Sequence, residues 1–255
     1  MPGVTATLIT LNESTNLAGA LESVRWADEI VVVDAGSADD TVAIARRYTD
    51  RVIVRPWPGF VEQKNFAASQ ASHDWIFSLD ADERVTPELA AEVKAVVAAG
   101  PPCAGYRVPR VSHYLGRWIR STDWYPDLQL RLYDRRRAAW DGGYVHESVQ
   151  AEGKVGRLRA ELQHHPYRDV AHHLQTIDRY SSLAARQMFE AGRRTSALGV
   201  LLHGDAAFLR NYLLRGGFRD GATGLIVSLL NTFYVAMKFV KLWEMQEEQG
   251  ARSKE

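Results

Sequence analysis

The sequence predicts an α/β fold, in which a mostly parallel, Rossmann-like sheet is flanked by helices, with further helices at the C-terminal end. Three observations support this prediction. Apolar runs of strand length alternate with helical segments over residues 4–79, which is typical of a parallel sheet covered on both faces. The run EIVVVD at residues 29–34 is apolar almost throughout, as buried strands are. Polar residues follow three of the runs, where open sheets bind their ligands.

The α/β part can be divided into elements from the start of the chain. The predicted strands and helices alternate, in order, over residues 4–11, 16–24, 29–34, 39–48, 51–54, 61–71 and 75–79. A further helix begins after Thr86, because threonine caps a helix, Pro87 suits its first position and Glu88 its first turn.

The second half of the chain has a different pattern. Residues 105–165 form short aromatic and arginine-rich segments, which indicate antiparallel strands with long loops. Residues 169–190 predict a helix, and two more are expected around the Gly216-Gly217 break. We therefore expect an α/β domain at residues 1–165 and a helical extension at residues 166–255.

Composition limits the class of protein and its compartment. Of 255 residues, 46% are hydrophobic and 24% charged, which excludes a disordered or fibrous chain. Cys103 is the only cysteine, so no intrachain disulfide can form. The first 14 residues lack the pattern of a secretory signal. We expect a cytoplasmic protein.

Charge is distributed unevenly although the net charge is zero. Residues 1–99 hold 15 acidic and 8 basic side chains, whereas residues 186–241 hold 3 acidic and 8 basic ones. A basic C-terminal stretch attracts anionic surfaces. The predicted crevice is acidic and no motif of interleaved aromatic and basic residues occurs, so we expect no nucleic-acid partner.

The first two strands end in polar residues that suit a nucleotide. Thr10, Asn12 and Glu13 follow the first strand, and Asp34 and Ser37 follow the second. A carboxylate there can accept hydrogen bonds from a ribose. Alternatively, Asp34 and Ser37 only form an Asx-type turn that caps the next helix. The sequence leaves both interpretations open.

The fourth strand leads into two carboxylates. Asp80 and Asp82 close the run FSLDADE, and in extended backbone residues i and i+2 leave the strand on one side. Two such carboxylates repel unless a cation lies beside them, and oxygen ligands select Mg²⁺ or Mn²⁺. A diphosphate would complete the coordination. We expect a divalent-metal site here.

Other polar residues have two interpretations each. Lys64 opens a helix, where it could neutralise a phosphate or lie on a solvated face. A basic cluster could bind phosphate, an anionic acceptor or only water; it comprises Arg131, Arg135, Arg136 and Arg137. The spacing of the pairs His164-His165 and His172-His173 matches no compact zinc pattern.

Several ordered motifs together resemble one known family. LITLNESTNL, WADEIVVVDAGSADDTVAIA, RPWPGFVEQKNFA and WIFSLDADERVTPEL are similar to family 2 glycosyltransferases of the GT-A fold. They resemble most the bacterial branch that includes the lipopolysaccharide core β-1,4-glucosyltransferase. RLYDRRRAAWDGGYVHE and the C-terminal stretch GFRDGATGLIVSLLNTFYVAMKFVKLWE are also similar, so the resemblance covers nearly the whole chain.

The resemblance implies an activity and a role for each site residue. The donor would be a nucleoside-diphosphate sugar, and the first candidate is a UDP-linked hexose such as glucose. Asn12, Glu13 and Asp34 would hold the nucleoside, with Thr10 and Ser37 beside them. Lys64 would approach the diphosphate, and Asp80 and Asp82 would hold Mg²⁺ or Mn²⁺.

The base of the reaction is expected in the run GGYVHE. An inverting transfer needs a group that takes the proton of the acceptor hydroxyl as it attacks the anomeric carbon. By placement, Glu147 resembles that base. His146 could be a further metal ligand, a diphosphate contact or a structural histidine. The implied acceptor is a lipopolysaccharide-core or lipid-linked glycan.

The C-terminal helices are expected to lie on a membrane. Between Asp220 and Lys238 there are 17 uncharged residues. A helix that spans a membrane requires about 20, so this stretch is slightly too short. Flanking basic and aromatic residues suit a helix in the interface; they include Arg210, Arg215, Arg219, Lys241, Phe218, Phe233, Tyr234, Phe239 and Trp243. We expect peripheral attachment at the inner face of the cell membrane. The alternatives are packing on the α/β domain and homo-oligomerisation.

Two other functions fit part of the sequence. A sugar nucleotidyltransferase would share the sheet, but such enzymes usually carry a glycine-rich first loop, and LITLNESTN contains no glycine. A catalytically inactive membrane-bound interaction protein would keep the fold. The presence of Asp80, Asp82 and Glu147 argues against it.

Overall fold

A computed structural model describes residues 2–100, 102–142 and 147–252 of the chain. They form two compact units. The first comprises Met1–Val111 and Asp127–His164, and the second comprises Ser112–Pro126 and His165–Glu255.

The strands of the chain, numbered in order, are β1 Val4–Thr10, β2 Glu29–Asp34, β3 Val52–Val54, β4 Trp75–Leu79, β5 Glu83–Val85, β6 Gly105–Tyr114, β7 Arg117–Ile119, β8 Asp127–Asp134, β9 Ala138–Asp141, β10 Ser148–Ala151, β11 Val155–Arg157 and β12 Leu162–His164. The α-helices are α1 Leu17–Ser23, α2 Thr41–Ala45, α3 Phe60–Ser69, α4 Pro87–Ala98, α5 Val170–Glu190, α6 Ala197–Phe208 and α7 Gly221–Arg252.

The main sheet of the first unit confirms the predicted fold class. Its strand order is β3-β2-β1-β4-β8-β6-β12-β5, and β11 lies beside β6. The first four strands are parallel, and β8 continues the sheet antiparallel to β4. Since β1 lies between β2 and β4, the connections diverge on its two sides. Ligands of open sheets bind at such a switch point, beyond the carboxyl ends of the strands.

Side chains along the strands point alternately to the two faces of the sheet, so an apolar core lies on each face. In β2, Ile30 and Val32 pack into the core that includes α1 and α4, whereas Val31 and Val33 pack into a core with Ala67 of α3. All four are buried, which is why the run reads as continuously apolar. Helices therefore cover both faces, as the sequence predicts.

Local signals place the helix starts correctly. The Thr86 hydroxyl accepts a hydrogen bond from the backbone N–H of Leu89, 3.2 Å away, and Pro87 is the first helical residue. Asp169 caps α5 in the same way, at 2.7 Å from the N–H of His172. Both caps satisfy backbone donors that the first turn leaves unpaired.

Residues 80–83 are not extended, and here the expected geometry of the two aspartates is wrong. β4 ends at Leu79, and the N–H of Glu83 donates to the carbonyl of Asp80 at 3.0 Å, which closes a turn. The side chains of Asp80 and Asp82 therefore do not follow the period of a strand. After the turn, β5 pairs antiparallel with β12, with Glu83 opposite His164.

The second unit consists of helices and the segment 112–126. Several hydrogen bonds tie this segment to the helical part: for example, Asp220 accepts from the N–H of Arg120 at 3.0 Å, and Asn211 accepts from the N–H of Asp123 at 2.7 Å. α5, α6 and α7 share an apolar core that includes Phe239, so this aromatic does not lie at an interface with solvent or lipid.

Candidate active site

The candidate site lies at the carboxyl ends of β1, β2 and β4. These ends are adjacent because Thr10 pairs with Asp34 and Leu8 with Leu79. The loops that follow the three strands carry the polar residues that the sequence singles out. The parallel sheet thus brings together three stretches of chain that are distant in sequence.

Asp34 organises the loops that follow β1 and β2. Its carboxylate is fully buried and accepts four hydrogen bonds: from the hydroxyls of Thr10 (2.8 Å) and Ser37 (2.6 Å), and from the N–H groups of Gly36 (2.9 Å) and Ser37 (2.7 Å). Gly36 has a φ of +91°, which favours glycine. The Asx-type turn that the sequence left open is therefore present, and it occupies the acceptor positions of Asp34.

Asn12 and Glu13 stand at the front of these loops. Asn12 is exposed, and its Oδ1 accepts from the N–H of Ala38 at 2.9 Å, which leaves the amide Nδ2 toward solvent. Its φ of +54° is one that asparagine tolerates better than most residues. Burial raises the pKa of Glu13, and the negative charges of Asp82 and Asp39 add to that effect. Glu13 thus belongs electrostatically to the same acidic site as Asp82.

Asp80 is paired with two cations. Its Oδ1 lies 3.1 Å from Lys64 Nζ, and its Oδ2 accepts a hydrogen bond from Arg131. Burial acts to raise the pKa of this carboxyl, but the charges of Arg131 and Lys64 outweigh burial and hold the pKa well below its usual range. Asp80 is therefore ionised, and both of its oxygens are already engaged.

Behind Asp80 lies an ion network in which Arg131 and Glu83 are buried and Arg110 and Asp127 are partly exposed. Glu83 accepts from Arg131 at 2.6 Å and from Arg110 at 2.9 Å, and Arg110 also pairs with Asp127 at 2.6 Å. The network fixes Arg131, which belongs to β8, against the turn after β4. Its members satisfy one another's charges, as buried ions require.

Asp82 points to a different partner. Its Oδ2 lies 3.3 Å from Nε2 of His164, the last residue of β12. About a third of the Asp82 side chain is exposed, so this pair faces accessible space. A carboxylate oxygen and an imidazole nitrogen this close form two donors of a set that suits Mn²⁺, and less well Mg²⁺, which prefers oxygen alone.

Two of the described residues could supply ligands to a divalent cation. No cluster of three or more His, Cys, Asp or Glu side chains that could hold a metal occurs within residues 2–100, 102–142 and 147–252. Asp82 and His164 fit as two ligands, with the remaining positions open to a diphosphate and water. Asp80 is engaged by Lys64 on one oxygen and by Arg131 on the other, so in this arrangement it pairs with these two cations.

Lys64 connects the aspartates to the hairpin of β9 and β10. Its ammonium group stands 4.0 Å from the ring centre of Trp140 in β9, a cation–π contact. Glu147 is half-buried and directly precedes β10, whose Ser148 pairs with Asp141, the neighbour of Trp140. The expected base thus lies within the same hairpin, directly before its second strand. His146 lies outside the described residues.

Sequence reasoning missed two members of the site. Arg131 was grouped with Arg135, Arg136 and Arg137, but it alone is buried with Asp80 and Glu83; Arg135 donates to backbone carbonyls, and Arg136 pairs with Asp134. His164 was considered only for zinc. Its partner lies far away along the chain, so only the pairing of β12 with β5 reveals the contact.

Comparison with known proteins decides the family. A profile described as Glycosyl transferase family 2 matches residues 5–151. The chain belongs to this family. The fold, the family and the enzyme class that the motifs predicted are thereby confirmed, and the protein is a glycosyltransferase. The family match speaks against the sugar nucleotidyltransferase alternative.

Similar proteins occur in bacteria. The lipopolysaccharide core biosynthesis glycosyltransferase LpsC of Rhizobium meliloti (strain 1021) is 32% identical over 94% of this chain and 92% of its own. An uncharacterized glycosyltransferase of Rickettsia conorii is 28% identical over 94% of this chain and 90% of its own. Among solved structures, Staphylococcus aureus TarS 1–349 gives a TM-score of 0.48 at 13% identity, covering 98% of this chain and 92% of its own.

Proposed function

We propose that this family 2 glycosyltransferase transfers a hexose from a nucleoside-diphosphate sugar to a hydroxyl of a lipopolysaccharide-core or lipid-linked glycan, with inversion and with a divalent cation. One observation carries the proposal: Lys64 and Arg131 meet on Asp80, directly before the Asp82–His164 pair, at the switch point of the sheet. Cations and a metal-ligand pair side by side suit a diphosphate, which needs both kinds of contact.

In this proposal the loops after β1 and β2 bind the nucleoside. Asn12 offers its exposed amide, and Glu13 its half-buried carboxyl, to the base and the ribose. Thr10, Asp34 and Ser37 act together by holding the two loops in place, since their polar atoms bond to one another. UDP is the first nucleotide to test, on the resemblance of the sequence motifs.

The diphosphate would lie against Lys64 and the Asp82–His164 pair. Asp82 and His164 would hold the Mn²⁺ or Mg²⁺, and Asp80 would keep the ammonium of Lys64 and the guanidinium of Arg131 in place. When bound, the cation supplies positive charge that stabilises the departing diphosphate. Lys64 adds a second positive charge that is already desolvated by burial, which strengthens its attraction for phosphate oxygens.

Glu147 would act as the base. The acceptor oxygen attacks the anomeric carbon as Glu147 takes its proton, while the bond from that carbon to the diphosphate breaks and the nucleoside diphosphate leaves. Attack opposite to the leaving group inverts the anomeric centre. A carboxylate in this role contributes about 10²- to 10⁴-fold to the rate.

Similarity to a protein named for lipopolysaccharide core biosynthesis supports the proposed acceptor. A membrane-bound acceptor would agree with the second unit, which exposes a broad apolar surface. We call this the leucine face; its members are Leu198, Leu201, Leu202, Leu209, Leu213, Leu214, Phe218, Leu229 and Phe233. Leu214 is 83% exposed. Apolar patches of this extent mark interaction surfaces.

The proposed occupant of the leucine face is the cytoplasmic surface of the cell membrane. Arg210, Arg215 and Arg219 lie among its residues in sequence, as expected for contact with anionic headgroups. Among the described residues, the helix Gly217–Gly250 is long enough to cross a membrane and contains an 18-residue window with a mean hydropathy of 1.5. We propose peripheral attachment, because the apolar surface extends over α6 and the turn after it as well as α7.

Donor hydrolysis tests the proposed reaction. The protein is incubated with a panel of nucleotide sugars and with Mg²⁺, Mn²⁺ or a chelator, and the nucleoside diphosphate released is measured. We expect hydrolysis only with a divalent cation, loss of hydrolysis in Asp82→Asn, and normal hydrolysis in the control Asp50→Asn, which changes an exposed carboxylate. Turnover in the chelator, or a fully active Asp82→Asn variant, would reject the metal assignment.

Vesicle co-sedimentation tests the membrane proposal. Vesicles that contain phosphatidylglycerol should bind the wild-type protein more tightly than neutral vesicles do. Replacing Leu201 and Leu214 by glutamate should abolish binding without unfolding the protein, because both side chains are exposed. The control Val54→Glu adds a glutamate at an exposed position of the first unit. If the double variant instead converts a dimer to a monomer and vesicle binding is unchanged, the leucine face is a subunit interface.

A further inference from the structure

The second unit contains a cavity of about 420 Å³ between α5, α7 and the segments around residues 124 and 166. This size is within the range of small-molecule sites, about 300–1,000 Å³. Its walls are largely aromatic: Trp124, Tyr167, His173, Tyr180 and Tyr234 line it, together with Asn231. All of these belong to the second unit, so the cavity is separate in the chain from the residues that the proposed reaction uses.

The lining of the cavity carries no formal charge. None of the described residues that line it is Lys, Arg, Asp or Glu. Burial, and the nearby His172, lower the pKa of His173 to about 4, so this imidazole is neutral at neutral pH. A phosphate or carboxylate ligand would lose its hydration here without gaining an ionic partner, which is costly. The cavity therefore suits an uncharged ligand.

Two of the polar side chains that line the cavity, Asn231 and Tyr234, have no hydrogen-bond partner among the described residues. The side-chain amide of Asn231 forms no hydrogen bond to another residue of the described chain, although it is half-buried in the middle of the apolar helix α7. The hydroxyl of Tyr234, whose pKa burial raises, likewise has no hydrogen-bond partner in those residues. Nδ1 of His173 forms a hydrogen bond with the hydroxyl oxygen of Tyr114, 2.9 Å away.

These groups distinguish between two uncharged ligands. A lipid chain would cover the Asn231 amide and the Tyr234 hydroxyl and leave both unpaired, which is unfavourable for buried polar groups. A sugar ring has hydroxyls at its edge that can bond to them. It also has apolar C–H faces, which are attracted to the electron-rich faces of rings such as Trp124 and Tyr180.

We propose that this cavity binds a neutral sugar ring of the acceptor glycan. The proposal rests on the proposed function, in which the acceptor is a glycan, and it adds a second point of contact for that glycan in the helical unit. Asn231 and Tyr234 are binding residues in it, and the aromatic walls orient the ring. Such a site would select acceptors by a sugar away from the reacting hydroxyl.

The test is binding of delipidated lipopolysaccharide core oligosaccharide to the full-length protein, followed by calorimetry and by saturation-transfer NMR. Asn231→Leu and Tyr234→Phe each remove one polar group and keep the volume of the side chain nearly unchanged. We expect each to weaken oligosaccharide binding about 5- to 10-fold. The control Thr232→Val changes the neighbouring residue, whose hydroxyl bonds to the carbonyl of Ser228 within its own helix, and should bind like the wild type.

Donor measurements separate this proposal from the proposed function. All three variants should bind UDP-glucose and hydrolyse the donor as the wild type does. If the wild-type protein hydrolyses no nucleotide sugar, the proposed reaction fails, whereas the oligosaccharide titration still tests the cavity. Equal oligosaccharide affinity in Asn231→Leu and the wild type, or no affinity in the wild type, overturns the inference. A fluorescent fatty acid that Asn231→Leu binds more tightly would assign the cavity to a lipid chain instead and would also overturn it.

Discussion

The Nε2 atom of His164 lies 3.3 Å from Oδ2 of Asp82. Antiparallel pairing of β12 with β5 sets this contact, because it places His164 opposite Glu83, the residue after Asp82. The two side chains come from the middle and the end of the first unit's sequence. If they hold the divalent cation, the metal joins the turn after β4 to the last strand of the unit.

The first prediction concerns His164 itself. His164→Ala should weaken Mn²⁺ binding in the presence of UDP by at least about tenfold, since the loss of even a supporting ligand group typically costs that much. Calorimetric titration of Mn²⁺ into protein saturated with UDP measures the change. His165→Ala is the matched control, because His165 contacts the rings of His113 and Trp118 instead. An unchanged Mn²⁺ affinity in His164→Ala would remove the histidine from the site.

Local signals explain which elements the sequence predicts. Three of the parallel strands, β1, β2 and β4, are buried on both faces, so each appears as a short apolar run, and Thr86 and Asp169 mark helix starts by residue type. The turn at residues 80–83 was not predictable, because nothing in FSLDADE separates it from an extended strand. Its conformation depends on Glu83, which accepts from the N–H of Asp80 and from two arginines on other strands.

In the candidate site, too, the residues that could be predicted are those that a local sequence pattern marks. Asp80 and Asp82 were found because they are neighbours in the sequence, and Lys64 because it begins a helix. Arg131 and His164 were not assigned, since strand pairing, and no local pattern, brings them to the aspartates. Asp34 shows the converse case: its residue type and position suit a ribose, yet its carboxylate is fully buried and occupied by Thr10, Gly36 and Ser37.

A second prediction separates binding from folding at Lys64. Lys64→Met keeps an unbranched side chain of similar length and removes the charge, and with it the cation–π contact with Trp140. Asp80 retains Arg131 and is partly exposed, so the melting temperature should change little. UDP affinity should fall about 10- to 100-fold, which corresponds to one hydrogen bond to a charged group. Thermal unfolding and UDP titration measure the two effects. The exposed Lys94 provides the control Lys94→Met; equal UDP affinity in both variants would contradict a diphosphate contact.

A third prediction compares two amides on α3. Gln63 is fully buried, and neither atom of its amide has a partner among the described residues. Asn65 instead donates to the carbonyl of Trp140 at 2.8 Å and accepts from its N–H at 2.9 Å. Gln63→Met should therefore be neutral or stabilising, whereas Asn65→Leu should cost about 2–4 kcal/mol of unfolding free energy, because it leaves two backbone groups unpaired. Denaturant unfolding measures both, and a reversed order would contradict this account.

A fourth prediction follows from His173. Its pKa is lowered from 6.5 to about 4 in the folded protein, so the unfolded chain binds a proton at a higher pH than the folded one. The stability that this neutral imidazole contributes is complete above pH 6.5 and is lost as the pH falls toward 4. The loss should reach about 3 kcal/mol, at 1.36 kcal/mol for each pKa unit.

Melting temperatures at pH 7.5, 6, 5 and 4.2 measure this loss. His173→Gln should be less stable than the wild type at pH 7.5 but should lose less stability on acidification. His172→Asn removes the smaller of the two causes of the lowered pKa of His173, so it should change the dependence on pH much less than His173→Gln does. A wild-type slope in His173→Gln would show that another group controls the acid sensitivity.

The last prediction concerns Glu147. Glu147→Gln keeps the shape of the side chain and removes its ability to take a proton, so the donor should still bind with wild-type affinity. Hydrolysis of the donor, in which water replaces the acceptor hydroxyl, should fall about 10²- to 10⁴-fold, the usual contribution of a general base. Glu152→Gln is the control, because Glu152 is exposed directly after the same hairpin. Turnover of Glu147→Gln near the wild-type rate would place the base elsewhere. Weakened donor binding with the rate constant unchanged would make Glu147 a binding residue, since a base affects the chemical step and leaves the ground-state complex intact.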